Sequence, residues 1–305
     1  MIIDPEKIPV DTSKTVADTV GVTAHASAGH GDKFEFSHLL DHIKDSREIE
    51  IPFGHVELPQ FKPLQIGGML IDLSPTKHVV FLLVSALILV IFAIYVARRY
   101  KKSPVPSGFA NAFETMVLFI RDEVAIPNMG KAGVKYVPYL LTTFFFILIM
   151  NIIGLIPFGV TSTGNIAVTG GLAIIAFFMI QVSAIRAQGI GHYLAHLTGG
   201  VHWLLWPIMI PIEILGLFTK PFALCIRLFA NMTGGHIVIL SLIGLIFLFR
   251  SFVVAPVSVI FALGINMLEL FVAFLQAYVF IMLTSLFMGL GMQPAHEEHA
   301  HSESH

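Results

Sequence analysis

The sequence predicts an all-α membrane protein with about five membrane crossings, the last two forming a hairpin of long, strongly tilted helices. Three observations predict it. Of the 305 residues, 55% are hydrophobic and only 12% are charged, against about 25% charged in soluble domains. The apolar residues are gathered into blocks long enough to cross about 30 Å of hydrocarbon. The last block, Trp203–Met292, has no real polar loop anywhere along it.

Residues 1–76 read as an acidic extramembrane segment. Residues 1–74 hold twelve of the twenty acids, from Asp4 to Asp72, and six Lys or Arg. The start, MIIDPEKIPV, lacks a basic region followed by an apolar one, so no signal peptide is expected. HVELPQFKPLQI, residues 55–66, looks extended, as in a short hairpin.

The membrane domain is expected over residues 77–293. The first span, about 79–97, carries no charge and is followed at once by Arg98, Arg99, Lys101 and Lys102. Such a cluster belongs on the cytoplasmic side, which places the N-terminal segment outside. In residues 107–124, Phe109, Phe113, Met116, Val117, Ile120 and Val124 recur at helical spacing, with Glu114, Arg121 and Asp122 on the other side. That pattern predicts an interfacial amphipathic helix. The second span is 136–157 and the third about 165–186, joined by the uncharged loop FGVTSTG and closed by Arg186 on the inside.

The hairpin is expected over 203–250 and 252–292, turning near Arg250–Ser251. Each half then exceeds about 60 Å at 1.5 Å per residue, roughly twice the hydrocarbon thickness, so the helices must incline steeply. A division into four ordinary spans is the rival reading, and it lacks loops. Five crossings put the C-terminus in the cytoplasm. The tail 294–305, PAHEEHAHSESH, reads as disordered, with metal binding by its histidines the alternative.

Charged groups in a bilayer cost a few kcal/mol each, so they point to function. The hairpin holds Glu213, Lys220, Arg227, His236, Arg250 and Glu269, with the amides Asn231 and Gln276. Glu213, Lys220 and Arg227 are seven apart and share one face, with a drift of about 20° per step. Asn231 lies one turn beyond. Ala223, Arg227, Ala230 and Gly234 form a stripe of small residues around a permanent cation. Such stripes commonly mark plain helix packing. Here the arginine would face the incoming partner and hold a partner carboxylate ionised.

His236 and Glu269 can each hold or release a proton. Antiparallel pairing about a turn near 251–252 brings together residues whose numbers sum to about 504. It joins His236 to Glu269 and Arg227 to Gln276. Arg250, at the turn, is expected to snorkel to the interface. The one cysteine, Cys225, excludes an intrachain disulfide and a Cys-based metal site. No cofactor or metal is expected. Without a phosphate-cradling Gly-rich loop the chain should not handle nucleotide itself, and a net charge of −2 gives no basis for nucleic-acid binding.

ALCIRLFANMTGGH, around Arg227, resembles the corresponding motif of the subunit a family of F-type ATP synthases, with Leu228, Phe229, Asn231 and Met232 matching as well. Glu213 in IPIEILGLFTK, Lys220 before Pro221, Gln276 in LQAYVF, and Asn151 and Pro157 in MNIIGLIP extend the match over about residues 77–292. His and Glu at 236 and 269 stand exchanged relative to some bacterial members, in the arrangement of mitochondrial ones. Gly154 stands where some members have Asp.

The resemblance implies a proton-translocating stator subunit of the Fo sector in a bacterial inner membrane. Its partners would be a ring of c subunits, the subunit b peripheral stalk and the rest of the ATP synthase, with the lipid bilayer around it and protons as cargo. Arg227 would stand between two half-channels. His236, Glu269, Asn231 and Gln276 would line the outer one and Glu213 the inner. A stand-alone secondary transporter or ion channel is the alternative, but such folds often carry internal repeats and none is found. A purely structural subunit would leave the buried charges without a role.

Overall fold

The structure, a computed structural model, describes residues 48–51, 54–57, 64–66, 69–71, 76–102, 108–156, 161–191, 193, 206–249 and 254–292. The chain divides into two units, Met1–Glu35 and Phe36–His305, and all described residues belong to the second. The acidic segment up to residue 47, the turn at Arg250–Ser251 and the tail 294–305 lie outside the described residues.

Four short strands precede the helices: β1 (Glu48–Ile51), β2 (Gly54–Glu57), β3 (Leu64–Ile66) and β4 (Met69–Ile71). The extended stretch 55–66 overlaps β2 and β3, but these do not pair with each other. β2 pairs antiparallel with β1, and β3 with β4, so two hairpins form where one was expected.

Five helical stretches are long and apolar enough to cross a membrane: Lys77–Lys101, Asn111–Leu155, Ile166–Gln188, Trp206–Ile246 and Val254–Met292. They match the five expected crossings. α1 (Lys77–Lys102) is mostly exposed along its apolar length. It rests against the next elements through Phe92, whose ring lies 5.3 Å from Phe113 and 5.8 Å from Phe145.

The segment read as a separate amphipathic helix runs on into the second span through short turns. α2 (Phe109–Phe119) passes into a π turn (Ile120–Ala125), α3 (Ile126–Met129), a 3₁₀ turn (Gly130–Tyr136) and then α4 (Val137–Leu155). Gly130 has φ 63°, a left-handed conformation suited to glycine. Ile120 and Val124 are buried, while Arg121 and Asp122 are exposed and bonded to each other at 2.8 and 3.0 Å; Glu114 is half-buried, as are Phe113, Met116 and Val117.

α4 buries Val137, Leu140, Phe144, Ile147, Asn151 and Gly154. With Met150, these residues recur three and four apart and make one face of the helix a packing seam. The facing seam belongs to α7 (Val254–Met292), with Ala273, Ala277, Phe280 and Ile281 buried. α5 (Ile166–Gln188) is capped by Asn165, whose side chain accepts from the Ala167 amide at 2.8 Å. It buries Thr169, Ala173, Ala176, Ile180 and Ser183 against α6 and α7. α3 packs on the C-terminal half of α7. There Asn128 Nδ2 donates to Ser285 Oγ and Ser285 donates to the Val124 carbonyl, at 2.8 and 2.9 Å. A Cβ at Gly289 would overlap the Asn128 carbonyl.

α6 (Trp206–Phe249, 44 residues) and α7 (39 residues) are each continuous. Their lengths are about 66 and 58 Å at 1.5 Å per residue. Continuity through Pro211 and Pro221 rules out four ordinary spans and supports the hairpin of over-long helices. Much of α6 and of the first half of α7 is exposed, with Phe218, Phe222, Met267 and Phe271 over 60% accessible. Apolar surface on that scale needs lipid or other subunits around it.

Candidate functional site

The candidate residues lie along α6 and on the facing side of α7. Pairing of the two helices brings His236 Nδ1 to 3.6 Å from Glu269 Oε1. Glu269 is buried at 7% exposure. Among the described residues neither its two oxygens nor His236 Nδ1 has a hydrogen-bond partner. This close approach depends on Gly235, where a Cβ would overlap the Glu269 carboxylate.

The other expected pair is different. Gln276 is buried, and its Oε1 accepts from Asn231 Nδ2 at 2.6 Å. No hydrogen bond joins Gln276 to Arg227. The partner is one turn further along α6 than the pairing sum of 504 gave. Arg227 is exposed, together with Ala223, Ala230 and Gly234. Among the described residues the small-residue stripe is therefore an open face of α6, covered by no other helix. Among the described residues Arg227 has no hydrogen bond or ion pair.

Toward the start of α6, Glu213 and Lys220 are half-buried. Lys220 Nζ lies 5.3 Å from the Phe287 ring centre, a cation over an aromatic face. Tyr193, outside the spans, donates a short hydrogen bond to Gln181 Oε1. Burial, with a smaller effect from the charge of Glu213, raises the Tyr193 pKa above its ordinary value.

Several contributors were missed in the sequence. His236 Nε2 lies 2.6 Å from Thr161 Oγ1 and 3.2 Å from the Gly154 carbonyl oxygen. Gly154, noted only as lacking an aspartate, supplies its backbone instead. Its missing side chain also leaves space for Thr161, which a Cβ there would overlap. Thr161 precedes the 3₁₀ turn Ser162–Gly164. That turn is tied down by Ser162 donating to the His78 carbonyl at 3.1 Å and Thr163 donating to Asn151 Oδ1 at 2.9 Å. Asn151 in turn donates to the Ala273 carbonyl of α7 at 3.3 Å. Three consecutive hydroxyl residues in an otherwise apolar loop were the available signal. Among the described residues no cluster of His, Cys, Asp and Glu is placed to hold a metal.

The family model "ATP synthase A chain" matches residues 79–289. "ATP synthase subunit a" of Chlorobium phaeobacteroides (strain BS1) is 53% identical over 286 residues, covering 92% of this chain and 82% of the relative. That of Chloroherpeton thalassium is 50% identical over 304 residues, covering 92% and 89%. That of Myxococcus xanthus is 55% identical over 246 residues, covering 79% and 81%. The matched region contains the His236–Glu269 pair and the open arginine face, and the chain belongs to the ATP synthase subunit a family, an integral membrane component of the Fo sector.

Proposed function

We propose that this chain is the proton-translocating stator subunit of Fo, offering two half-channels to the carboxylates of a c-subunit ring. The observation that carries the proposal is Arg227: a permanent cation, exposed on an apolar helix, among residues small enough to admit another helix. A charge in that position needs a partner from outside the chain. A ring carboxylate brought within about 4 Å would gain roughly 4 kcal/mol at an effective dielectric constant of about 20. That is equivalent to about three pKa units, enough to make it release its proton. Because the guanidinium keeps its own proton, it blocks direct passage and leaves ring rotation as the route.

His236 and Glu269, with Asn231 and Gln276, form the outer path to this face. Glu213 belongs to the inner path. Basic residues after α1 and at Arg186 support a cytoplasmic position for those ends, with residues 1–76 outside and the C-terminus inside. Residues 107–124 lie at the interface, and the peripheral stalk and the remaining ATP synthase subunits complete the assembly.

The test is proximity within the whole complex. With Cys225 replaced, Ala230→Cys should cross-link to a cysteine placed one turn from the ring carboxylate, since a disulfide requires Cα atoms within about 7 Å. A cysteine on the buried side of α6, at Leu224, should not. Equal failure at both positions would refute the docking face.

A further inference from the structure

We infer that Thr161 is a positioning residue of the proton path: its hydroxyl and the Gly154 carbonyl together hold His236 with Nε2 turned away from Glu269 and Nδ1 turned toward it. The inference rests on the reading of His236 and Glu269 as a proton-holding pair, and it adds which nitrogen carries the exchangeable proton.

The two contacts at Nε2 decide the tautomer. A carbonyl oxygen only accepts, and the Gly154 oxygen is 3.2 Å from Nε2. A bare Nε2 would set one lone pair against another there. A protonated Nε2 serves this carbonyl and can also share its hydrogen with Thr161 Oγ1 at 2.6 Å, since a hydroxyl accepts as readily as it donates. In the neutral ring the hydrogen therefore resides on Nε2, and Nδ1 presents its lone pair to Glu269 across 3.6 Å. One added proton then belongs to the pair. It rests on the Glu269 carboxyl, or it moves to Nδ1 to leave an imidazolium beside a carboxylate. With the opposite tautomer Nδ1 would already be occupied and could not accept it.

Thr161 is fixed well enough for this task. It is 7% exposed. Its carbonyl accepts from the Gly164 amide at 2.9 Å, and the next two residues are anchored to α1 and α4. Gly154 admits it where any side chain would displace it.

The test is ATP-driven acidification of inverted membrane vesicles carrying the whole complex, read with a pH-sensitive dye. Thr161→Ser keeps the hydroxyl and Thr161→Val keeps the shape. Positioning by the hydroxyl predicts near-normal pumping for Ser and a loss of roughly three- to tenfold for Val, the scale of one hydrogen bond. A packing role predicts the reverse order, and Val equal to or better than Ser overturns the inference. Gly154→Ala displaces Thr161 from the other side, so it decides the matter if the Val variant does not assemble. It should give a similar loss, and when combined with Thr161→Val no further loss; normal pumping by the Ala variant overturns the inference. His236→Leu in the same vesicles separates the two levels: normal pumping there refutes the proton path itself. Impaired His236→Leu with normal Thr161→Val refutes only the role of Thr161.

Discussion

Gly235→Ala isolates the seat of Glu269. In a helix interior this change would ordinarily stabilise, by about 0.5–1 kcal/mol. At Gly235 the added methyl would overlap the Glu269 carboxylate. A carboxylate at the end of a flexible side chain can move without breaking the fold. It must retreat by about 2 Å to regain ordinary carbon–oxygen separation. The His236–Glu269 distance of 3.6 Å would grow to at most roughly 5.5 Å, if the retreat is directed away from His236. For an imidazolium facing a carboxylate, 332/(20 × 3.6) is about 4.6 kcal/mol and 332/(20 × 5.5) about 3.0 kcal/mol at an effective dielectric constant of about 20. The difference, at most about 1.6 kcal/mol, is a factor of up to roughly fifteen in occupancy of the shared-proton state. The assay is ATP-driven acidification of inverted vesicles, normalised to the amount of complex recovered. Pumping should fall by up to about tenfold with assembly intact. Wild-type pumping by the Ala variant would refute the claim that the close His–Glu approach is used, since propensity alone predicts no harm.

Exchange of the pair, His236→Glu with Glu269→His, should recover much of the pumping lost in either single variant, and a double-mutant cycle measures the coupling; additive losses would separate the two residues. Gly289→Val should lower assembly and thermal resistance by about 1–3 kcal/mol or more, because the obstacle is the Asn128 backbone carbonyl, which cannot step aside; unchanged thermal aggregation of the purified complex would contradict that packing.

Long apolar periodicity made the five crossings legible, and the lack of polar loops in Trp203–Met292 made the over-long hairpin legible. The His236–Glu269 contact followed from simple antiparallel counting, because only four residues separate the end of α6 from the start of α7. Counting failed at Gln276. Arg227 and Asn231 lie one turn apart on α6, and the hydrogen bond of Gln276 goes to Asn231. Gly235 and Gly154 were opaque for another reason. A glycine tolerated inside a membrane helix looks alike whether it lines lipid or makes room for a carboxylate, and the difference lies entirely in a distant segment. Thr161 acts through a contact between a loop and a helix 75 positions away, which local pattern does not encode. The pairing of β1 with β2 and β3 with β4 was hidden similarly, since extended propensity says nothing about which neighbour a strand takes.

The central claim is that Arg227 meets its partner from outside the chain and converts proton flow into rotation. ATP-driven pumping by the assembled Arg227→Ala complex tests it most directly. Loss of pumping is predicted with the complex recovered in normal amount, because removing an exposed side chain disturbs no packing within this subunit. Arg227→Lys should pump poorly as well, since an ammonium lacks the planar fork and can lose its proton when buried. Coupled pumping at the wild-type rate by Arg227→Ala would contradict the account.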